Sequence, residues 1–422
     1  MNGESVAING GTVITQDQRR SIFRANLLVE DGLITRVSQE RLHGDVEIRA
    51  EGKAVMPGFG NTHCHAAMSH LKGKLDDMDL HAFLEKTFDL DARRTEEGLY
   101  NSSLLSMAEM ISSGITLFSD LYYGEDVVEK AALKSGIRSA LFWNTLDENL
   151  TTQKGNPVRN AEKFIRSDRT SDLIQRGIGI QGVYVASDDL FSQVNEVAER
   201  YSALIHMHLS ETRKEVYDCL RERGKRPVEL LASLNFLSSR VIVAHSVWVN
   251  MNELNSMAKA GTKVSWNAIS NAKLGEGGVA PIPEMLRRGI SVSLGTDSNG
   301  SNNSLNMFEC MKFSSLQVKG QRWDASQMDA QTMLDMATME GYRSLGLTNG
   351  GIITEGSLAD IITLDLKAPN MIPSSPDNLV QNIVYSANPE NVCDVLIGGN
   401  IVKRNHKLTT IDPRSLIEAN FV

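Results

Sequence analysis

The stretch Asn61–Thr62–His63–Cys64–His65 decides how the rest of the chain is interpreted. It follows the apolar run Val55–Phe59, in which a Pro–Gly pair indicates the end of a buried strand. Because side chains two residues apart point to the same face of a strand, His63 and His65 should point together beyond its end. Neutral imidazole is a common ligand for Zn and Fe, so the pair indicates a metal site. On its own it is equally compatible with two buried polar histidines.

Seven more apolar runs follow, separated by segments with helical periodicity. They are Ile115–Asp120, Arg138–Trp143, Ile178–Val185, Ala203–Leu209, Val241–His245, Lys263–Asn267 and Ile290–Asp297. With the first run they make eight strands that alternate with helices, which predicts an α/β fold, a parallel (β/α)8 TIM-like barrel. The alternative is a doubly wound open sheet. That fold normally has a glycine-rich phosphate loop after its first strand, where this chain has histidines.

The two ends of the chain are rich in β-strand patterns. Residues 1–56 include Ala25–Ile34, which is typical of a hairpin with Asp–Gly at its turn. Residues 354–422 contain the runs Ala359–Leu366 and Val392–Val402. Neither end is large enough for a core of its own. We therefore expect residues 1–56 and 354–422 to combine into one small β-sandwich beside a catalytic barrel formed by residues 57–353.

Composition narrows the class of protein. The chain has 422 residues, 41% of them hydrophobic, and a formal net charge of −9. An acidic chain without a basic run is not typical of proteins that bind nucleic acid or anionic membranes. There is no apolar run of about 18 residues and no signal-peptide pattern at the start. The four cysteines are scattered, which predicts reduced thiols in a cytoplasmic protein. We expect a small-molecule substrate and no nucleic-acid or membrane partner. Whether the chain forms a homo-oligomer is left open.

Polar residues stand at the ends of four of the predicted strands. They are His63 and His65 after the first, His208 and Glu211 after the fifth, His245 after the sixth and Asp297 after the eighth. In a (β/α)8 barrel the carboxyl ends of all strands meet on one face, where catalytic residues lie. Four imidazoles and two carboxylates should therefore converge on one metal site.

These motifs resemble those of the amidohydrolase superfamily. The similarity consists of His-x-His after strand one, His-x-x-Glu after strand five, Ala–His after strand six and Gly–Thr–Asp after strand eight. It extends to Ser270–Gly275, Val279–Pro281 and Ser301–Leu305, and so covers nearly the whole chain. Within the superfamily the chain is most similar to the branch of S-adenosylhomocysteine and methylthioadenosine deaminases, guanine deaminases and triazine chlorohydrolases.

The resemblance implies a set of metal ligands and catalytic roles. The ligands it implies are His63, His65, His208 and Asp297. Two-metal members carry a bridging lysine on strand four. This chain has no lysine there, which implies a single divalent metal ion. Zn is the favoured metal and Fe is the alternative. Such a metal makes hydroxide available near neutral pH. Asp297 would take the proton of the water, Glu211 would carry a proton to the ring nitrogen, and His245 would orient the hydroxide and stabilise charge.

The substrate pocket implied by the resemblance involves four further residues. Asp91 aligns with an acidic residue that holds the ribose hydroxyls in adenosylhomocysteine-type deaminases, and Arg159 matches an arginine that reaches the far end of their substrate. Tyr184 and Trp266 stand where relatives have histidines. Both could stack on a ring or narrow the site, or simply pack between loops.

The expected function is metal-dependent hydrolytic deamination of an adenine nucleoside, namely S-adenosylhomocysteine, methylthioadenosine, 5′-deoxyadenosine or adenosine. The alternative within the superfamily is a deaminase or chlorohydrolase acting on guanine, a pterin, cytosine or an s-triazine. A metal-free scaffold protein on the same barrel is a third hypothesis. The presence of Glu211, His245 and Asp297 speaks against it, because a scaffold does not need them.

Overall fold

The computed structural model describes residues 4–78, 80–91, 93–151, 153–168, 171–419 and 421. Within these residues the strands form two sheets, one built from both ends of the chain and one from its middle. No helix in the described part of the chain has the length and apolar character to cross a membrane.

The first sheet has nine strands and contains both ends of the chain. The N-terminal end supplies β1 (Val6–Ile14), β2 (Ile22–Glu30), β3 (Leu33–Ser38), β4 (Val46–Arg49) and β5 (Lys53–Pro57). The C-terminal end supplies four more, which are β14 (Ile361–Asp365), β15 (Val392–Ile397), β16 (Asn400–Arg404) and β17 (Lys407–Leu408). The two ends meet where β14 pairs antiparallel with β5. The predicted composite β domain is confirmed, and all nine strands are hydrogen-bonded into one sheet.

The second sheet is the barrel, with eight strands in sequential order. They are β6 (Phe59–Cys64), β7 (Ile115–Tyr122), β8 (Arg138–Thr145), β9 (Ile174–Ile180), β10 (Ile205–Leu209), β11 (Val241–His245), β12 (Lys263–Trp266) and β13 (Val292–Leu294). Every neighbouring pair is parallel. The first and last strands come together where the Asp297 N–H donates to the His63 carbonyl at 2.9 Å. The predicted (β/α)8 barrel is confirmed.

The helices surround the barrel and link it to the first sheet. They are α1 (Leu80–Asp91), α2 (Glu96–Ser112), α3 (Glu125–Ser135), α4 (Pro157–Arg166), α5 (Asp188–Tyr201), α6 (Arg213–Arg223), α7 (Pro227–Ser233), α8 (Met251–Ala260), α9 (Ala268–Lys273), α10 (Ile282–Arg287), α11 (Met307–Arg322), α12 (Ala330–Ala337), α13 (Met339–Ser344) and α14 (Leu379–Tyr385). Their apolar faces share a large buried core with the outward side chains of the barrel strands.

The assignment of the first barrel strand from sequence was wrong. The run Val55–Phe59 does not form one strand: β5 ends at Pro57 in the composite sheet, and β6 begins at Phe59 in the barrel. Gly58 lies between them, where a Cβ atom would stand 2.1 Å from the Thr116 hydroxyl oxygen. Only glycine fits so close to β7. His63 therefore lies within the first barrel strand, and His65 directly follows it.

A buried ion pair joins the two sheets. Arg138 on β8 donates through Nε to Asp360 Oδ2 at 2.6 Å and through Nη2 to Oδ1 at 3.0 Å. The same carboxylate accepts from the Tyr342 hydroxyl of α13 at 2.8 Å and from the Gly398 N–H at 2.7 Å. Asp360 immediately precedes β14, so one side chain holds the barrel, a covering helix and the C-terminal strands together.

Candidate active site

Three histidines and one aspartate converge at the carboxyl-terminal mouth of the barrel. His63, His65 and His208 offer ring nitrogens that lie within 4.8 Å of one another. The His65 and His208 Nε2 atoms are 3.3 Å apart, and Asp297 Oδ1 lies 3.4 Å from His65 Nε2 and 3.7 Å from His63 Nε2. These are the four residues predicted from the sequence as metal ligands, and they come from β6 and the residue that follows it, from β10 and from the segment after β13.

The opposite nitrogens of the three rings are already bonded. His65 Nδ1 lies 2.6 Å from the Leu121 carbonyl and His208 Nδ1 lies 2.6 Å from the Gln181 carbonyl. A carbonyl only accepts, so both Nδ1 atoms carry the hydrogen and both Nε2 atoms present lone pairs. His63 Nδ1 lies 2.7 Å from His206 Nε2, while the buried His63 Nε2 has no hydrogen-bond partner among the described residues.

This arrangement fits a bound metal ion. Lone pairs that face one another repel unless a cation lies between them, and outer hydrogen bonds of this kind orient metal-binding histidines. Burial and the neighbouring rings hold the pKa of both His63 and His208 well below the usual value. These rings are therefore neutral, as metal ligation requires. Burial would raise the pKa of Asp297, but the surrounding histidines and the Ser270 hydroxyl bring it below its usual value, so it is ionised.

The two remaining catalytic candidates lie beside this cluster. His245 Nε2 is 3.5 Å from Glu211 Oε1, and His245 Nδ1 accepts from the Asn271 side-chain amide at 2.7 Å. Because Nδ1 accepts, the hydrogen of the neutral ring lies on Nε2, facing the cavity. Burial lowers the pKa of His245 to about 4, so the ring stays neutral. Glu211 is fixed by α6, since Glu215 accepts from the Ser210 and Glu211 N–H groups at 2.8 Å each.

The backbone at these strand ends is strained. His245 has φ 71° and Asp297 has φ 60°, in the left-handed region that non-glycine residues rarely adopt. Ser210 and Ser246, next to the catalytic segments, have φ 50° and 51°. Such conformations cost about 1–3 kcal/mol each and cluster at functional sites. Here they turn the side chains of His245 and Asp297 toward the mouth of the barrel.

A cavity of about 320 Å³ opens onto the cluster. His65, His208, Glu211, His245 and Asp297 form its floor. Its walls are largely apolar and aromatic, and are formed by Met68, Phe83, Leu84, Leu121, Tyr122, Tyr123, Leu146, Leu150, Tyr184 and Leu274. A few polar groups, among them the side chains of Asn144, Gln153 and Gln181, are interspersed. An apolar cavity with few polar groups above a cluster of titratable residues is typical of a small-molecule site.

Comparison with known proteins establishes the family. Residues 54–402 match the Amidohydrolase family. The chain belongs to the amidohydrolase family. This amidohydrolase is 35% identical to a 5-methylthioadenosine/S-adenosylhomocysteine deaminase from Caldicellulosiruptor saccharolyticus, over 97% of this chain and 96% of the relative. It is 34% identical to a 5′-deoxyadenosine deaminase from Methanothermobacter thermautotrophicus, over 99% of this chain and 97% of the relative.

Solved structures of similar proteins agree with the fold of the amidohydrolase. An adenosine deaminase from Xanthomonas campestris with bound zinc has a TM-score of 0.93 and 26% sequence identity, covering 98% of this chain and 96% of the other. The similarity to an atrazine chlorohydrolase from Arthrobacter aurescens complexed with zinc, with a TM-score of 0.90 and 21% identity over 98% of each chain, supports the fold alone.

Two of the four predicted substrate-contacting residues line the cavity of the amidohydrolase. Asp91, the last residue of α1, reaches it, with its carboxylate accepting from the Tyr122 hydroxyl and from Arg94 Nη1 at 3.4 Å. Tyr184 lies in a 3₁₀ turn after β9 and also lines the cavity. Burial raises the pKa of Asp91 above its usual value.

The other two predicted contacts are corrected by the structure. Arg159 lies on the exposed side of α4 and does not line the cavity. Trp266 is fully buried in the core between barrel and helices. The reason is strand alternation: Ser265 faces the barrel interior, where its hydroxyl bonds Thr62 Oγ1 at 2.7 Å, so the next side chain on β12 faces outward. Neither side chain lines this cavity.

Three residues that bond His63, Asp297 and His245 were not predicted from the sequence. His206 is buried and bonds His63; Ser270 donates to Asp297 Oδ2 at 2.6 Å, and Asn271 bonds His245. Ser270 and Asn271 belong to a stretch that carried the family resemblance, but no role followed from it. Their side-chain partners are 26 or more residues away, so spacing alone could not reveal them.

Proposed function

We propose that this amidohydrolase catalyses the metal-dependent hydrolytic deamination of an adenine nucleoside, releasing ammonia and the corresponding inosine analogue. The observation that carries the proposal is the convergence of His63, His65, His208 and Asp297 with Glu211 and His245 in one cluster, most of which forms the floor of one cavity. The relatives named as methylthioadenosine/S-adenosylhomocysteine and 5′-deoxyadenosine deaminases, which match nearly the full length, support the same substrate class.

The cofactor we propose is one zinc ion per chain, held by His63, His65, His208 and Asp297. Three imidazoles and a carboxylate are typical zinc ligands, and a catalytic site leaves a position open for water. None of the described residues lining the cavity is a lysine that could become a carboxylated bridge to a second ion. A bound zinc ion supplies hydroxide near neutral pH because it lowers the pKa of water.

The residues of the chain itself then handle the protons. Asp297, ionised and bonded to Ser270, is a base for a proton of the attacking water. Glu211 lies on the cavity floor and can donate a proton to the ring nitrogen beside the attacked carbon. His245 presents its Nε2–H to the cavity, where it can donate to the oxygen that becomes the product carbonyl. The substrate must therefore contain an amidine-like carbon–nitrogen pair, as adenine does.

The cavity walls favour small, uncharged nucleosides. No lysine or arginine belongs to the described lining, so a 5′ phosphate would be desolvated without a cation. Asp91 is the acidic group in reach of ribose hydroxyls, and its carboxylate would repel a phosphate further. Since Arg159 lies outside the cavity, the carboxylate of S-adenosylhomocysteine lacks the partner predicted for it. We therefore propose 5′-deoxyadenosine, methylthioadenosine and adenosine as better substrates than S-adenosylhomocysteine.

The test is a panel of kcat/KM measurements by ammonia release. The four nucleosides are compared with adenosine monophosphate, guanine, cytosine, a pterin and a chlorotriazine. We expect the uncharged nucleosides to be preferred; preference for a free base or for chloride release from the triazine would refute the substrate class.

Elemental analysis should find about one zinc per chain, and His63→Ala should lose metal and activity together. Two equivalents in the wild type would refute the single-metal proposal. A cytoplasmic location and a homo-oligomer stay predictions.

A further inference from the structure

A second carboxyl group approaches the catalytic Glu211 from outside the substrate cavity. Glu276 lies in the loop after α9, and an atom of its carboxyl lies within 4.8 Å of Glu211 and His245 atoms. The two carboxyl groups are therefore close neighbours in a buried setting. Two ionised carboxylates at such a separation repel each other, which raises the pKa of one of them. This proximity favours a state in which the pair holds a proton.

The contacts of Glu276 indicate which partner donates. Its Oε2 accepts from the Asn271 side-chain amide at 2.7 Å, and the same amide nitrogen donates to His245 Nδ1 at 2.7 Å. Its Oε1 is buried and has no hydrogen-bond partner within the described chain. Glu276 thus accepts from Asn271 at one oxygen and has a second buried oxygen that can accept from a protonated Glu211.

The electrostatic surroundings favour a proton on Glu211. Burial, followed by the negative charges of Glu276, Asp297 and Glu215, raises the pKa of Glu211 well above its usual value. Burial raises the pKa of Glu276 to about 7. His245 is neutral, and the cations Arg213 and Lys214 line only an adjoining chamber of about 480 Å³. That chamber is bounded by both Glu211 and Glu276, so the pair also borders a space apart from the substrate cavity.

We propose that Glu276 is a positioning residue that keeps a proton on Glu211 at neutral pH, so that Glu211 enters the reaction as an acid. The proposal rests on the deamination proposed above. In each turnover the Glu211 O–H bond breaks as a bond forms between hydrogen and the ring nitrogen. Glu211 regains a proton from the attacking water, and the second water proton leaves with the amine as ammonia. Water is the only co-reactant, and the pair ends with the proton it started with.

The test is the pH dependence of kcat in Glu276→Gln. Glutamine keeps the shape but cannot carry a negative charge, and its amide donates to an ionised Glu211. The activity of the wild type should fall at high pH, as Glu211 loses its proton. Without the charge of Glu276 that loss should occur at lower pH, by about one pH unit or more, with KM little changed. Glu276→Asp, which keeps a carboxyl group, should return the alkaline limb part of the way to its wild-type position.

Asp218→Asn is the matched control. Asp218 lines the same chamber but pairs with Lys214 and Arg221 on the surface of α6. Asp218→Asn removes one negative charge, as Glu276→Gln does, but leaves the contacts of Glu211 unchanged. The pH profile of this variant should therefore stay that of the wild type. A purely structural role for Glu276 would lower kcat equally at every pH. An unshifted or upward-shifted alkaline limb in Glu276→Gln would overturn the proposal.

Infrared spectroscopy separates this proposal from the proposed function. At neutral pH, the difference spectrum between the metal-loaded wild type and Glu211→Gln should contain a protonated carboxyl band. The same comparison made in the Glu276→Gln background should lack it. The measurement needs no substrate, so it decides the role of Glu276 even if the wild type deaminates none of the nucleosides. A band present in both backgrounds would show that Glu211 holds its proton without Glu276.

Discussion

His63 depends on a second histidine that is not itself a ligand. His63 Nδ1 lies 2.7 Å from His206 Nε2 in a fully buried setting. If His63 binds metal through Nε2, its Nδ1 carries the hydrogen and His206 accepts it. The hydrogen bond then fixes the ring orientation and the tautomer of the ligand, a role usually filled by a carboxylate or carbonyl.

Removing that acceptor should weaken metal binding rather than abolish it. We expect His206→Leu to raise the dissociation constant for zinc about 10–100-fold, the usual effect of losing such an outer partner. His206→Gln, whose side-chain oxygen can still accept, should retain most of the affinity. Competition with a chelator measures both variants, and circular dichroism verifies that they fold. Equal affinity in wild type and His206→Leu would show that His63 is oriented by packing alone.

Glu211 should be needed for turnover and not for metal binding. It lies on the cavity floor, and it is not one of the four side chains proposed to hold zinc. Glu211→Gln keeps the size and hydrogen bonding of the residue but cannot deliver a proton. We expect kcat to fall by about 10²–10⁴-fold, toward the upper end because both attack and departure need proton transfer. Zinc content by elemental analysis should match the wild type. Near-normal turnover at full metal content would assign proton transfer to another group.

At the scale of secondary structure elements, the sequence predicted what depends on local pattern. Six barrel strands lie where apolar runs indicated, whereas β9 (Ile174–Ile180) ends well before the predicted end at Val185, and Val183–Val185 form a 3₁₀ turn. The residues predicted as ligands lie together because strand ends meet on one face. The first strand was misplaced because Val55–Phe59 is continuously apolar, while the change of sheet depends on the close packing of Gly58 against Thr116. Trp266 was misassigned because the inward position on β12 belongs to Ser265. The change of sheet at Gly58 and the outward orientation of Trp266 both depend on contacts between segments that are distant in the sequence.

The helices around the mouth differ in whether they reach the substrate cavity. Asp91 at the end of α1 lines the cavity, whereas Arg159 near the start of α4 is exposed. Arg159→Ala should therefore leave kcat/KM for S-adenosylhomocysteine within about twofold of the wild type, as is usual for surface positions. Asp91→Ala should lower kcat/KM for nucleosides mainly through KM, because it removes an acceptor for the ribose hydroxyls.

Both variants are measured side by side with adenosine and S-adenosylhomocysteine. A loss confined to S-adenosylhomocysteine in Arg159→Ala would show that α4 moves toward the ligand. Because Asp91 also bonds the Tyr122 hydroxyl, the thermal stability of Asp91→Ala is recorded as well. Asp91→Asn, which keeps hydrogen-bonding capacity, should recover part of the stability. Unchanged nucleoside turnover in Asp91→Ala would remove Asp91 from ribose recognition.

The whole molecule depends on joining its two ends. The N-terminal strands bury Val6, Ile8, Leu27 and Val29 in a cluster that is completed by Ile361 and Leu396 from the C-terminal strands. On the barrel side, the Arg138–Asp360 ion pair is almost fully buried, with side chains 6% and 0% exposed. Breaking such a pair by removing one partner costs about 3–5 kcal/mol, since it leaves a buried charge unpaired. Neither end is therefore an independent extension of the barrel.

Deleting residues from Thr363 onward should consequently make the protein insoluble. The deletion removes most of β14, all of β15 to β17, and the Gly398 N–H that bonds Asp360. It exposes the edge of β5 and the apolar face of the N-terminal strands, which together form a surface prone to aggregation. A shorter truncation after Ile417, which is 77% exposed, keeps every strand and should remain soluble and active. Soluble, active protein from the longer deletion would mean that the barrel and the N-terminal strands fold without the C-terminal end.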